Sequence, residues 1–299
     1  MRQINKNKSS SVVTHFTDLS NFGDNPGSLT ASYYVPQTKP SALVVLLHGC
    51  KQKGELLAQQ SGLLGLAKQH NFALLIPQQS LKNNIMRCFN WYSAGDFTRD
   101  SGESLSIKNM ITTLQHQLGS ERNYIMGLSA GGAMTSSMLV NYPDLFTAGA
   151  VIAGIPYPGA DSLMTAMSCM KKGSSRSADM LMSSAQELNP KQKTWPQLLV
   201  WTGESDNVVN PINSSLLAQQ WTKLIKTKLK IEQNECTSYQ STQWKDNLNQ
   251  TQVELVQVAH LGHGIMVNPN EKNGGEVADY LLAAPISTVK YVINFWDLN

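Results

Sequence analysis

The chain is poor in charge. Only 15% of its 299 residues are Asp, Glu, Lys or Arg, and the signs nearly cancel, with 24 Lys plus Arg against 21 Asp plus Glu for a net +3. No run of basic residues upsets that balance, which argues against a nucleic-acid or anionic-membrane partner. No apolar stretch approaches the ~18 residues a membrane span needs. Cysteine is scarce: Cys50, Cys88, Cys169 and Cys236, none in a Cys-x-x-Cys pair. That spacing argues against a zinc site and leaves three full disulfide pairings open. There is no phosphate loop, dinucleotide fingerprint or His–carboxylate cluster, so neither a cofactor nor a metal is expected. There is no internal repeat or linker either, and the expectation is a single domain over 1–299. The first residues, MRQINKNKSSSVVTHF, carry basic groups with no apolar run after them. They do not read as a secretory signal, so either the chain stays inside the cell or a leader was removed earlier.

What is present is a rhythm. With 41% hydrophobic residues the composition is that of a globular protein. Short apolar runs recur at Ala42–Leu47, Ala73–Ile76, Tyr124–Met126, Gly149–Ala153, Leu198–Trp201 and Val253–Val258. Most are continuous rather than alternating, as in strands buried on both faces of a parallel sheet. Helical patterns lie between them at Glu55–Gln69, Ser104–Leu118, Ala130–Asn141 and Ile212–Thr227. In the second of these Ile107, Met110, Ile111, Leu114 and Leu118 form one stripe. Thr30–Val35 reads as an earlier strand on an antiparallel edge. Strand alternating with helix predicts an α/β fold with a doubly wound, mostly parallel sheet. Residues 156–196 break the rhythm with prolines and two Met-containing helical pieces, and read as a lid-like insertion between two sheet strands.

One motif carries chemistry. Gly127-Leu128-Ser129-Ala130-Gly131 is Gly-x-Ser-x-Gly, placed between a short strand and a helix. A tight strand–turn–helix of this kind lifts a serine hydroxyl above the carboxyl edge of a sheet, with a helix N-terminus behind it. Serine is a weak nucleophile until a base removes its proton. In the α/β-hydrolase chain order the acid and then the histidine follow the serine, and only His260 and His263 lie beyond Ser129. His263 is preferred for its flanking glycines and its place past the Val253–Val258 strand, with His260 the competitor. Asp206 lies on a strand-end loop after Trp201 and is the candidate acid, with Glu204 a near rival and Asp161 a weaker one. The backbone N–H groups of Ala130 and Cys50 are the candidate oxyanion hole, Gly49 letting the chain turn inward. His48 is read as a brace for that loop. Phe89, Trp91 and Tyr92 are candidate substrate-wall residues. Met164, Met167 and Met170, at helical spacing, are read as core packing rather than an adaptable apolar wall, and Trp201 as core. Arg99 and Glu103 are read as an ion pair bracing a loop.

With these residues in place, the chain resembles the poly(3-hydroxybutyrate) depolymerase family of esterases, which includes feruloyl and acetylxylan esterases. The resemblance is spread over Leu47–Gln52, Cys88–Tyr92, Arg99 with Gly102-Glu103, and Gly127–Met134. It continues through Ala153–Tyr157, Cys169-Met170, Gly203–Pro211, Gln220-Trp221, Gly262–Gly264, Ile286–Thr288 and Phe295–Leu298. It implies an α/β-hydrolase that cleaves carboxylic esters through a covalent acyl-enzyme, with the triad on Ser129, Asp206 and His263. The expected substrate is a short-chain hydroxyalkanoate polyester or oligomer, an aryl or sugar ester being the alternative. A non-catalytic binding module and an acyltransferase are the readings from other classes. The resemblance also implies a Cys50–Cys88 disulfide and secretion, against the N-terminal reading. The chain departs from the family at Thr202, where His is usual, and at Pro158-Gly159-Ala160, where Cys often stands, leaving Cys169 without its usual partner. Ile265-Met266 replaces a Trp-Pro that some members carry.

Overall fold

The computed structural model describes residues 16–299 apart from residue 227. The N-terminal reading above therefore falls outside the described residues, as does the final residue of the fourth predicted helix. In chain order the elements are β1 (Thr17–Asp18), β2 (Thr30–Tyr34), β3 (Leu43–Leu47), α1 (Gly54–Gln60), α2 (Leu63–His70), β4 (Ala73–Gln78), α3 (Ala94–Phe97) and α4 (Gly102–Leu118). Then come β5 (Asn123–Leu128), α5 (Ala130–Asn141), β6 (Ala148–Ile152), α6 (Leu163–Lys172), α7 (Ala178–Leu188), β7 (Gln197–Gly203) and α8 (Ile212–Leu224). The chain ends with β8 (Lys230–Glu235), β9 (Tyr239–Lys245), β10 (Thr251–Val258), β11 (Ile265–Val267), β12 (Leu281–Ala283) and α9 (Thr288–Phe295).

Ten strands form one sheet in the order β1-β2-β4-β3-β5-β6-β7-β10-β9-β8. The central strands from β4 to β10 run parallel, while β2 pairs antiparallel with β4 and β9 with β10. The continuous apolar runs are those central strands, and β3, β5 and β6 are buried throughout. Alternate side chains divide between two cores. Leu43, Val45 and Leu47 join the core under α4, α5 and α8, and Val44 and Leu46 the core under α1, α2 and α9. This is the α/β-hydrolase architecture, a mostly parallel sheet with helices on both faces.

The chain leaves β3 to form β4 on one side and returns across it to form β5 on the other. Such a switch of direction opens a crevice at the carboxyl ends of the two strands. The loop after β3 and the turn after β5 are the segments that carry His48–Gln52 and Ser129.

Two expectations shift, and one hairpin was not among them. The predicted helix at 55–69 is two helices, broken at Ser61-Gly62. Gly62 takes a left-handed conformation (φ 88°) that ends the first helix, and a Cβ there would lie 2.3 Å from the Asn273 carbonyl oxygen, so the position admits only glycine. The β8–β9 hairpin, which extends the sheet beyond β10, carries no apolar run in β8, whose six residues are all exposed. Polar, charged composition is how sheet edges avoid pairing with other chains. Of residues 156–196, α6 and α7 are helical as expected, but α7 packs against α8.

All twelve residues of α5 are buried. A helix can run through a core like this because it carries no charged side chain and its hydroxyls are spent locally. Thr135, Ser136 and Ser137 donate to the carbonyl oxygens of Gly131, Gly132 and Ala133 at 2.8, 3.3 and 3.2 Å. Its first turn presses on β3, where a Cβ on Gly131 would sit 2.2 Å from the Leu47 carbonyl oxygen. Gly131→Ala should therefore lower the urea unfolding free energy by about 1–3 kcal/mol. An unchanged midpoint and slope would show that this contact is not as tight as described.

Candidate active site

Ser129 joins β5 to α5 with φ 58° and ψ −118°, a strained conformation for a non-glycine residue. It is held from both sides, its N–H donating to Ile152 O at 2.9 Å and its carbonyl accepting from Ala133 N–H at 2.8 Å. The glycines of the motif are steric necessities, since a Cβ on Gly127 would lie 2.3 Å from Gly131 O. Ala130 opens the helix, so its N–H has no acceptor four residues back and lies at the positive end of the helix dipole.

Two further loops converge on the same rim, after β7 and after β10. They pass so closely that a Cβ on Gly203 would lie 2.3 Å from Leu261 O. Ser205 N–H donates to Leu261 O at 2.9 Å and ties them together. Asp206 is buried at 6% exposure. Its Oδ1 accepts from the N–H groups of Val208 and Val209, each at 2.9 Å. Its Oδ2 accepts from His263 Nδ1 at 2.7 Å. That bond assigns the proton to Nδ1 and leaves Nε2 with a free lone pair. His260 and Glu204 are exposed on the same loops, and Asp161 is spent on the first turn of α6 through Thr165.

Ser129 and His263 line one cavity of about 920 Å³. Among the described residues no hydrogen bond joins their side chains. Such bonds often close only around substrate.

The loop after β3 supplies the opposite wall. A Cβ on Gly49 would stand 3.6 Å from Ser129 Cβ, and Gly49 N–H donates to Gln52 Oε1 at 2.8 Å. Cys50 N–H meets no acceptor among the described residues, and both Cys50 and Ala130 line the cavity. The loop is pinned by a disulfide between Cys50 and Cys88, which are 38 positions apart. Closing a loop of that size removes unfolded-state entropy worth about 4 kcal/mol at most. Cys169 is a free, buried thiol and Cys236 a free, exposed one. His48 braces the loop from beneath. It donates from Nδ1 to Gly49 O at 2.7 Å, while Nε2 accepts from Gln79 N–H at 3.1 Å. Burial, helped by nearby Arg87, pushes its pKa down to about 4 against the pull of the Gly49 hydrogen bond.

The substrate-wall expectations divide. Trp91 and Tyr92 line the cavity and meet edge to face at 5.6 Å. Phe89 does not line it. It is wholly buried and packs on the His48 ring at 4.9 Å. The Met stripe is not core: Met167 is 63% exposed and lines the cavity beside Met170, with Leu163 in the place expected of Met164. Met164 points to solvent at 82% exposure. Trp201 is core, its Nε1 donating to Met266 Sδ at 3.1 Å. Met266 belongs to buried β11, so the segment after His263 faces inward. Ile85, Met86, Ile155, Val208, Val209 and Tyr280 complete the apolar lining. They come from separate loops and no periodic pattern marks them.

Arg99 and Glu103 are not an ion pair. The Arg99 guanidinium donates to Asn141 O, Leu188 O and Asn189 Oδ1, bridging α5 and α7. Glu103, fully buried at the start of α4, gathers the loop after β4. Its Oε1 accepts from Gln79 Nε2 at 2.5 Å and Asn83 Nδ2 at 3.2 Å, and its Oε2 from Asn90 N–H at 2.8 Å. Asn90 precedes Trp91 and Tyr92, so this buried carboxyl positions that wall. Burial pushes its pKa up to about 8 despite the three donors. Between pH 4.5 and 8 the folded state thus holds a proton that the unfolded chain has lost, and stability falls as pH rises. His48 acts in the opposite sense, holding fewer protons when folded between pH 4 and 6.5. The two slopes offset each other below about pH 6.5, and Glu103 acts alone above it. Urea unfolding should lose up to ~1.4 kcal/mol per pH unit from pH 6.5 to 8. Glu103→Gln should flatten that stretch, and an unaltered slope in the variant would assign the loss elsewhere.

The family described as Esterase PHB depolymerase matches residues 30–229, a span that includes Ser129 and Asp206. Poly(3-hydroxyalkanoate) depolymerase C of Paucimonas lemoignei is 34% identical over 302 residues, covering 97% of this chain and 72% of its own. Feruloyl esterase B of Talaromyces stipitatus is 32% identical over 224 residues, and this chain spans only 61% of its length. Among solved structures, an acetyl xylan esterase from Aspergillus awamori superposes with a TM-score of 0.77 at 22% identity, over 95% of this chain and 99% of that one, a likeness of fold. Two thirds of the chain matched as one family, together with a relative 34% identical across 97% of this chain, establish that it belongs to the PHB depolymerase esterase family.

Proposed function

We propose that the protein is a cofactor-free serine hydrolase of carboxylic esters, and that its substrate is a short-chain hydroxyalkanoate polyester or its oligomers. The observation that carries the reading is the His263 Nδ1–Asp206 Oδ2 bond at 2.7 Å, on the rim of the cavity that holds the strained Ser129. Ser129 Oγ attacks the ester carbonyl as His263 Nε2 takes its proton. Asp206 holds the ring and stabilises the imidazolium through Nδ1. The amides of Cys50 and Ala130 receive the carbonyl oxygen as it becomes an oxyanion. The alcohol leaves with the proton from His263, and water, activated by the same ring, releases the acid and restores the serine.

In this reading the wall of α6 that carries Leu163, Met167 and Met170 is the part of the 156–196 insertion that covers substrate. Unbranched Met side chains suit an aliphatic chain of variable length. The likeness to the Paucimonas depolymerase along nearly the whole chain supports the hydroxyalkanoate substrate. Aromatic Trp91 and Tyr92 in the cavity favour a second reading, an aryl ester such as a feruloyl ester. The Cys50–Cys88 disulfide supports maturation in an oxidising compartment.

Turnover of p-nitrophenyl butyrate should fall by at least ~10⁴-fold in Ser129→Ala, with loss of fluorophosphonate labelling. A variant that keeps its label would remove Ser129 from the chemistry. A panel of 3-hydroxybutyrate oligomers and methyl ferulate separates the two substrates, and the oligomers should give the higher kcat/KM.

A further inference from the structure

Among the described residues no Asp or Glu lines the catalytic cavity, and apart from His263 the one basic side chain there is Lys51. The side-chain amide oxygens of Gln52, Asn84 and Asn90 beside that lysine are already engaged. Gln52 Oε1 accepts from Gly49 N–H, and Asn84 Nδ2 donates to Asn90 Oδ1 at 2.8 Å. Asn84 Oδ1 accepts from Met86 and Cys88 N–H. Lys51 itself forms no side-chain hydrogen bond or ion pair among the described residues. Its backbone is nonetheless held: φ is 65°, its N–H donates to Met86 O at 2.7 Å, and the disulfide anchors its neighbour Cys50. The result is an unspent ammonium on a four-carbon stem, one residue from the amide assigned to the oxyanion. Lys51 is exposed, so its ammonium stands in water at the edge of the cavity.

We propose that Lys51 is a specificity residue that recognises a carboxylate carried by the ester, the free acid end of a hydroxyacid oligomer. The inference rests on the hydroxyalkanoate reading above. In the last ester bond of such an oligomer the departing alcohol bears the terminal carboxylate. Hydrolysis there consumes one water and releases an acid and a hydroxyacid anion. An ester in the interior of a polymer lacks that charge. The cavity therefore favours short chains with free acid ends over uncharged esters of the same shape.

The test compares two dimers of 3-hydroxybutyrate, one with its free acid end and one with that end as the carboxamide, following cleavage of the shared ester bond by chromatography. Wild type should show a kcat/KM ratio of about five-fold in favour of the acid at low salt, the modest size expected for a charge pair open to water. Lys51→Arg should keep the preference and Lys51→Met should abolish it, both side chains accepting the same backbone as Lys. Raising ionic strength to about 1 M should shrink the wild-type ratio toward one. A wild type without preference, or a Lys51→Met variant with the wild-type ratio, would overturn the proposal and leave the esterase reading intact. A wild type inert toward both dimers while turning over p-nitrophenyl butyrate would overturn the hydroxyalkanoate reading, and this inference with it.

Discussion

A carboxylate taken out of water must have its hydrogen bonds supplied by the protein, and at Asp206 that requirement organises the rim. Two backbone N–H groups of its own loop fill one oxygen and the His263 ring fills the other. For the ring to reach that oxygen, the loops after β7 and β10 must run in contact, which glycine at 203 permits. Parallel pairing of β7 with β10 brings the two loops out at the same edge. Strand order, loop contact and imidazole orientation are thus one constraint seen at three scales.

The serine side of the rim obeys a different constraint, steric rather than electrostatic. Gly127 and Gly131 let β5, the start of α5 and the end of β3 approach within distances that no side chain would tolerate. The approach sets Ser129 against the loop that carries Cys50, and it places the helix N-terminus behind the hydroxyl. The disulfide and His48 hold that loop from above and below. Glu103 does the same for the neighbouring wall. His48 and Glu103 thereby fix the geometry of the groups around the cavity, and their burial is why these two carry displaced pKa values.

What could be read from the sequence was whatever depends on local pattern. The central strands are buried on both faces, so their composition is continuous and apolar. The serine turn is spelled by residue types that its backbone demands. Asp206 and His263 were legible because each closely follows a central strand. The features that escaped depend on contacts between distant segments. Nothing local distinguishes Phe89, turned into the core, from Trp91, turned to the cavity. The glycine at the helix break, Gly62, packs against Asn273, more than two hundred positions away. The Met stripe of α6 has the spacing of a core face, yet Met167 and Met170 border a cavity. Edge strand β8 is invisible because an exposed edge is built from polar residues.

The central claim is that Ser129 and His263, joined by no covalent or sequence proximity, act as one chemical unit. A double-mutant cycle tests it most directly, with kcat measured for Ser129→Ala, His263→Ala and the pair together. The account predicts that the double variant is no slower than the worse single one, because either loss already disables the shared step. Losses that multiply would mean that the two side chains act independently, and would contradict the site described.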